Sequence, residues 1–499
     1  MSTEPHYRSA RVVTSSPGSS ASPRPFHAAG GTFSILLPFG GVLFLWYNLV
    51  QDLRVANVVG LVNAFICLLQ IARGIRSRDS GPITLTFWSF SLVWLCVAPL
   101  AQLDAGRLPW PDSLMDEFYV EAQLITTVAL LSFVAGKLIA RRTAAQITSD
   151  GEGYEPRVES GPGEAGYGRM WIPFAMALVL ALPVLAITGG VAGRFATRDD
   201  VGSAFAENGI SAADGDTIQL FLLNRLPAAA ALVAAYAASH YFFQYARQTG
   251  RGRGGPLVTL VLGISLVLLL ANPFSSSRYI AFGAIAAVLL AAVRIDSAKR
   301  RLMFAFVCVV GLLFVYPLAT WFKRESVQSS PFRGFPDMFF TVDYDGYQQL
   351  INSIYFVDES GHTFGKYVLS AGLFFIPRAL WAGKANPASI DVADARGYSF
   401  QNLSLPIWSE FYIDFGIVGV IAGLIAFGFI SGRLDLAYYL RPMSTSAHMC
   451  VLVAVCMFGF LRGPLGAQVI FMGSVVVIGY IVYQTRDRAV EWKNGVVDR

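Results

Sequence analysis

The feature that most constrains this chain is a succession of apolar runs too long and too uniform for the interior of a soluble domain. "PLVTLVLGISLVLLLANPF", from Pro256 to Phe274, and "GIVGVIAGLIAFGFISG", from Gly416, contain no charged residue. Crossing a bilayer takes about 20 such residues in a helix. At that depth every backbone N–H and C=O must be satisfied within the segment, which selects helices. Composition agrees: 54% of residues are hydrophobic and 14% charged, against about 25% charged in soluble domains. The sequence predicts an all-α polytopic membrane protein.

Run length places about twelve transmembrane helices, near 32–50, 55–73, 82–103, 119–140, 170–188, 219–244, 256–273, 279–294, 302–320, 412–432, 446–461 and 466–483. Basic residues collect in cytoplasmic loops. With the N-terminus inside, alternate loops hold Arg73, Arg76 and Arg78; Arg141 and Arg142; Arg247, Arg251 and Arg253; Arg294, Lys299, Arg300 and Arg301; and Arg433 with Arg441. Both termini are then expected in the cytoplasm. Residues 1–30, rich in Ser, Pro and Ala, read as a disordered tail. The transmembrane domain is expected over 31–485, with a Gly- and Glu-rich cytoplasmic linker at 141–169, and 486–499 form a second cytoplasmic tail. The net charge of +5 follows from this topology. No aromatic-basic motif points to nucleic acid. Cys67, Cys96, Cys308, Cys450 and Cys456 lie in or beside apolar runs and read as small buried hydrophobes.

One expected extracytoplasmic loop, 321–411, is long, aromatic and basic where the orientation rule expects few charges. It contains "LFFIPRALWAGK", from Leu373, with Pro377 and Arg378 at its centre, and reads as a re-entrant or interfacial element. Tyr347, Leu350, Ile351, Ile354 and Tyr355 recur at helical spacing and predict an amphipathic helix. Its apolar stripe fits either the protein's own surface or the membrane.

Arg225, Arg278, Arg378 and Arg462 all fall at the expected outer level, where the basic-loop rule gives no reason for them. Charges at membrane level are costly and face cavities or partners, and the planar guanidinium fork matches phosphate. Snorkelling to headgroups, or pairing with carboxylates of the loop, is the alternative. Lys384 follows Arg378 closely enough to join a second phosphate or a sugar acid. In "NLSLPIWSEFYIDFG", from Asn402, Glu410 and Asp414 lie one helical turn apart. A helix dipole by itself explains Glu410; a catalytic base beside the arginines is the other reading. Asp343, Asp345 and His362 are further candidates for that base.

"GLFFIPRALWAGKANP", "NLSLPIWSEFYIDFGIVGVIAG", "FLRG" and "SSSR", in their order over roughly residues 270–470, resemble the bacterial oligosaccharide repeat-unit polymerases, the Wzy-type O-antigen and exopolysaccharide polymerases. The first half is similar only in hydropathy. The resemblance implies a GT-C-like membrane glycosyltransferase that joins undecaprenyl-pyrophosphate-linked oligosaccharides on the outer face of the bacterial cytoplasmic membrane. Arg278, Arg378 and Arg462, with Lys384 and Arg225 beside them, would then handle the pyrophosphate, and Glu410 or Asp345 would act in catalysis. Metal-dependent relatives of that architecture carry acidic pairs in the first outer loop. Here that loop is "QDLR", so neither metal nor cofactor is expected. Implied partners are the lipid-linked oligosaccharide and the bilayer, with a chain-length regulator and a flippase as further ones. An O-antigen-ligase-like transferase and a lipid-linked sugar transporter are the competing readings.

Overall fold

The computed structural model describes residues 27–110, 116–149, 168–210, 221–245, 254–318, 334–378, 380–400 and 403–484. The expected tails at 1–26 and 485–499, the linker core at 150–167 and the start of the large loop at 319–333 lie outside the described residues. The described chain is helical, with α1 His27–Leu49, α2 Val55–Arg76, α3 Pro82–Asp104, α4 Asp116–Ala144, α5 Trp171–Ile187, α6 Gly190–Arg194, α7 Arg198–Glu207, α8 Phe221–Gln244, α9 Gly254–Leu270, α10 Arg278–Ala292, α11 Ala298–Leu318, α12 Gly346–Ser360, α13 Lys366–Gly372, α14 Ala388–Ala395, α15 Ile407–Leu440, α16 Thr445–Arg462 and α17 Leu465–Tyr483.

Eight of these, α2, α3, α4, α8, α11, α15, α16 and α17, are long and apolar enough to cross a membrane. The remaining four segments of the expected twelve fall on α1, α5, α9 and α10, whose described apolar stretches run 10–17 residues. At 1.5 Å per residue these are shorter than about 30 Å of hydrocarbon. The described residues thus form a helical protein with eight candidate membrane spans, consistent with a polytopic membrane protein.

Burial follows from side-chain type. Almost every residue of α3 is buried, as expected of a helix apolar on all sides. In α8 the alanine run 228–231 is fully enclosed, and its small side chains let α5, α9, α10 and α17 approach closely. The tightest seam joins α4 to α15. A Cβ at Gly136 would lie 2.1 Å from the Ile425 carbonyl oxygen, and one at Gly428 2.3 Å from that of Phe133. Only glycine allows backbones to meet that closely.

Helix α15 carries three buried carboxylates, each turned on the N-terminus of another helix. Asp435 accepts from the Ile83 and Thr84 amides of α3. Asp414 accepts from the Tyr367 and Val368 amides of α13 at 3.2 and 2.8 Å. Glu410 accepts from the Leu465 amide of α17 at 2.6 Å. First-turn amides have no partner inside their own helix and attract negative charge, so each carboxylate fixes a junction. The helix also kinks at Gly416, whose φ of 61° suits glycine. Beside the kink, the Ile413 and Asp414 carbonyls accept from the Thr363 and Phe364 amides. The large loop is docked there.

The described part of that loop, 334–406, packs over one end of the bundle, termed here the loop end. Tyr347, Leu350, Ile351 and Ile354 of α12 are buried at 3% exposure or less. The predicted stripe therefore rests on protein and not on lipid. A small separate core beneath the loop joins Phe356, Tyr367, Val392, Leu403, Leu405 and Ile413.

Candidate functional site

The site begins at the turn before α10. Asn272 folds its side-chain oxygen onto the Phe274 and Ser275 amides at 3.0 and 2.9 Å. Arg194 lies across the same turn and caps α9, donating to the Leu269 and Leu270 carbonyls. Burial lowers the pKa of its guanidinium to about 10. This bracing presents Arg278 as the first residue of α10, where it is 7% exposed.

Arg278 forms a two-pronged ion pair with Asp343, one prong at 3.0 Å. It donates to the Tyr316 carbonyl at 2.8 Å, and its guanidinium lies 4.1 Å from the centre of the Tyr316 ring. Arg462, the last residue of α16, approaches the same ring at 5.7 Å. It contacts the Val342 carbonyl at 3.4 Å and Asp345 at 3.7 Å. One tyrosine thus lies against both arginines, 184 positions apart. Arg225 donates to the Tyr279 hydroxyl at 2.7 Å, as does Gln468 at 3.2 Å. Tyr279 follows Arg278 directly, so the third arginine borders the same group.

Three π-helical turns support this arrangement. Phe221–Arg225 ends on Arg225. Gly311–Val315 precedes Tyr316, and its Leu312 and Leu313 carbonyls accept from the Tyr344 hydroxyl. Val93–Val97 holds Trp94, which donates to the Asp343 carbonyl at 3.0 Å. Such turns loosen the regular hydrogen-bond ladder and recur at functional sites.

The two acidic residues differ. Asp343 is committed to Arg278. Asp345 is 1% exposed and accepts from Trp110 Nε1 at 2.9 Å through Oδ2, whereas its Oδ1 faces the Arg462 guanidinium at 3.7 Å and has no hydrogen-bond partner among the described residues. Trp110 stacks with Tyr398 and with Phe400 at ring distances of 5.8 and 5.7 Å. A carboxylate with a spare lone pair therefore lies next to an aromatic stack.

Glu410 sits lower, at 1% exposure, with its carboxylate on the α17 amide. Leu465 is three residues beyond Arg462, and the Leu405 amide donates to the Arg462 carbonyl at 2.8 Å. Glu410 fixes the turn that presents Arg462. Asp414 has the analogous place under α13. His362 packs against Gly416 and Tyr412, away from the arginines.

Arg378 and Lys384 brace their own loop. Arg378 donates to the Lys384 carbonyl and to Asn386 Oδ1 at 2.9 and 2.5 Å. Lys384 donates to the Phe374 and Ile376 carbonyls at 2.6 and 2.9 Å, and burial and then Arg378 push its pKa down. The segment neighbours the site through Phe374, 5.5 Å from the Phe221 ring, and Pro387, packed against Gly466. The structure brings together Arg225, Arg278, Arg462 and Asp345. It holds Arg378 and Lys384 on an adjoining segment and gives Glu410 a supporting position.

Sequence reasoning missed Arg198. It opens α7 and lies within electrostatic range of Arg225, Arg278, Tyr279 and Tyr316; burial first, then the two arginines, lower its pKa. Its signal was weak, since "RFATRDD" lies in a polar stretch between apolar runs. With Arg198 the site holds four guanidinium groups against Asp343 and Asp345. Neither Arg198 nor Arg225 has a carboxylate partner among the described residues. This arrangement is suited to a multiply charged anion, with a carboxylate next to it for proton transfer. No family model, curated protein or solved structure matches the chain.

Proposed function

We propose that the chain is a membrane glycosyltransferase that polymerises undecaprenyl-pyrophosphate-linked oligosaccharide repeat units into a surface or exopolysaccharide. The carrying observation is the group of Arg225, Arg278 and Arg462 around Tyr279 and Tyr316, with Arg198 within electrostatic range of it, beside Asp345 with one oxygen that accepts no hydrogen bond among the described residues. In this reading twelve helices span a bacterial cytoplasmic membrane, both termini are cytoplasmic and the loop end faces outward.

The chemistry follows from charge. The bond from the anomeric carbon to the pyrophosphate oxygen breaks, and negative charge grows on the leaving pyrophosphate. Fixed guanidinium donors stabilise that charge most where it develops. The acceptor hydroxyl attacks the same carbon and loses its proton to Asp345 Oδ1. The Tyr398–Trp110–Phe400 stack offers apolar ring faces to sugar C–H groups, and Phe400 is 45% exposed. Glu410 positions Arg462 and takes no proton. The arginines chosen from the sequence act in two tiers: Arg225, Arg278 and Arg462 on the pyrophosphate, and Arg378 with Lys384 in shaping the adjacent wall.

Deletion of the gene followed by sizing of the surface glycan tests this reading. A ladder collapsed to single repeat units is expected. Polymer that persists unattached would identify a ligase, and an unchanged glycan would remove the reading. For orientation, a cysteine at exposed Ser360, in a background without native cysteines, should label from outside intact cells. Labelling only after permeabilisation would place the loop end inside.

A further inference from the structure

A second site lies at the end of the bundle opposite the arginine group. There α8, α10, α15 and α16 surround a cavity of about 260 Å³ lined by Tyr236, His240, Gln244, Arg294, Tyr438 and His448. The space is slightly smaller than those that hold drug-sized ligands, about 300 Å³ and up, so it suits a compact headgroup.

Its polar groups are built and not adventitious. His448 and His240 are 2% and 6% exposed, and their rings meet edge-on at 4.7 Å. The His448 ring is stacked on Tyr483 at 3.7 Å, and its Nδ1 lies 2.9 Å from the Tyr236 hydroxyl. A phenol that donates to Nδ1 leaves the proton of a neutral ring on Nε2. Neither His448 Nε2 nor His240 Nδ1 has a hydrogen-bond partner among the described residues, so in the tautomer set by a donating Tyr236 hydroxyl the Nε2–H is left without an acceptor. A buried donor left without an acceptor is costly, so an acceptor-rich ligand would be held where protein supplies none. Arg294 lies over the Tyr438 ring at 4.3 Å and is anchored to the Tyr438 and Pro442 carbonyls. Gln244, on the fourth π-helical turn among the described residues, Tyr241–Tyr245, completes the lining.

The charge selects the ligand. The lining contains a guanidinium and no carboxylate. A cation would meet that guanidinium with only two imidazoles to hold it, and the described residues contain no group of three or more metal-ligating His, Cys, Asp or Glu. We propose that this cavity binds a phosphate group, presented either as a free phosphate or as the headgroup of an anionic phospholipid in that leaflet. Arg294 supplies the charge, and His448 Nε2–H a directed hydrogen bond.

The test uses the full chain, purified in neutral detergent and in nanodiscs. Thermal unfolding is followed during titration with inorganic phosphate at constant ionic strength, with chloride as control. It is repeated in discs of phosphatidylcholine with and without phosphatidylglycerol. A free-phosphate site gives a saturable rise in midpoint in detergent. A headgroup site gives a rise with phosphatidylglycerol that added phosphate does not extend. In either case Arg294→Gln should weaken the response at least about tenfold, and His448→Phe, which keeps the stack on Tyr483, should weaken it too. His448→Gln, which retains a donor, should recover part of it. Arg294 lies at the rim, so its variant provides the readout even where His448→Phe does not fold. The absence of a response to both probes, or a response unchanged in Arg294→Gln, would overturn the proposal.

Discussion

Replacement of Arg462 by Lys separates the chemistry of the arginine group from its contribution to the fold. The substitution keeps a positive charge beside Asp345 and removes the planar fork. The interactions that the fork makes are long: 3.4 Å to the Val342 carbonyl, 3.7 Å to Asp345 and 5.7 Å to the Tyr316 ring. Lys keeps a charge facing Asp345, whose side chain is 2% exposed, so no buried carboxylate is left without a cation and the unfolding midpoint should move little. Loss of one preorganised donor to a developing anion costs about 3–4 kcal/mol, a hundred- to thousandfold in rate. Arg278→Gln is the contrast. Arg278 and Asp343 are paired at 8% and 10% side-chain exposure. Removing one partner of a buried pair costs about 3–5 kcal/mol, so this variant should fail mainly through instability. Adding Asp343→Asn should restore stability without restoring transfer. The assay is elongation of a lipid-linked oligosaccharide by the purified enzyme, read on gels and normalised to folded protein by thermal unfolding. If Arg462→Lys polymerises at the wild-type rate, or loses activity only in proportion to folded protein, the pyrophosphate role of Arg462 is refuted.

Two further outcomes follow from the junctions around α15. Glu410→Gln keeps an oxygen for the Leu465 amide and should retain most transfer activity, whereas Glu410→Ala should cost about 1–3 kcal/mol of stability and lower activity by releasing the Arg462 turn; equal loss in both variants would make the carboxylate itself chemical. Gly428→Ala forces a methyl group against the Phe133 carbonyl and should lower stability by about 1–3 kcal/mol or more, seen as a lower unfolding midpoint; an unchanged midpoint would refute the α4–α15 seam as described.

The apolar runs were legible because a bilayer imposes length and periodicity on each segment separately, and every run became a helix. The helix ends were less so: Gly254–Leu270 stops short of the expected 273 at the turn made by Asn272 and Arg194, a tertiary feature, and Arg278–Ala292 begins on the far side of that turn. Arg278 and Arg462 stood out as charges at the ends of apolar runs, and they share one tyrosine. Arg198 did not, because nothing local distinguishes it from a solvated charge. Glu410 was visible as a helix-entry carboxylate, but its partner is the next helix but one along the chain, a relation that spacing does not encode. The kink at Gly416 was hidden inside an unbroken apolar run.

The three carboxylates of α15 also bear on the order in which the protein can be completed. The α3 amides that Asp435 receives lie 351 and 352 positions earlier in the chain. Until α15 has been synthesised and inserted, the entrance of α3 lacks its anionic partner, however early α3 itself entered the bilayer. In the other direction, Glu410 is made before the Leu465 amide it needs. Helix α15 is therefore a late keystone in assembly: closure of the N-terminal half waits for it, and it in turn waits for α17. Long-range closure of this kind slows folding and exposes intermediates. A ribosome-tethered chain halted before residue 435 should remain protease-sensitive at the start of α3, while one extended past α17 should become resistant there in a single step.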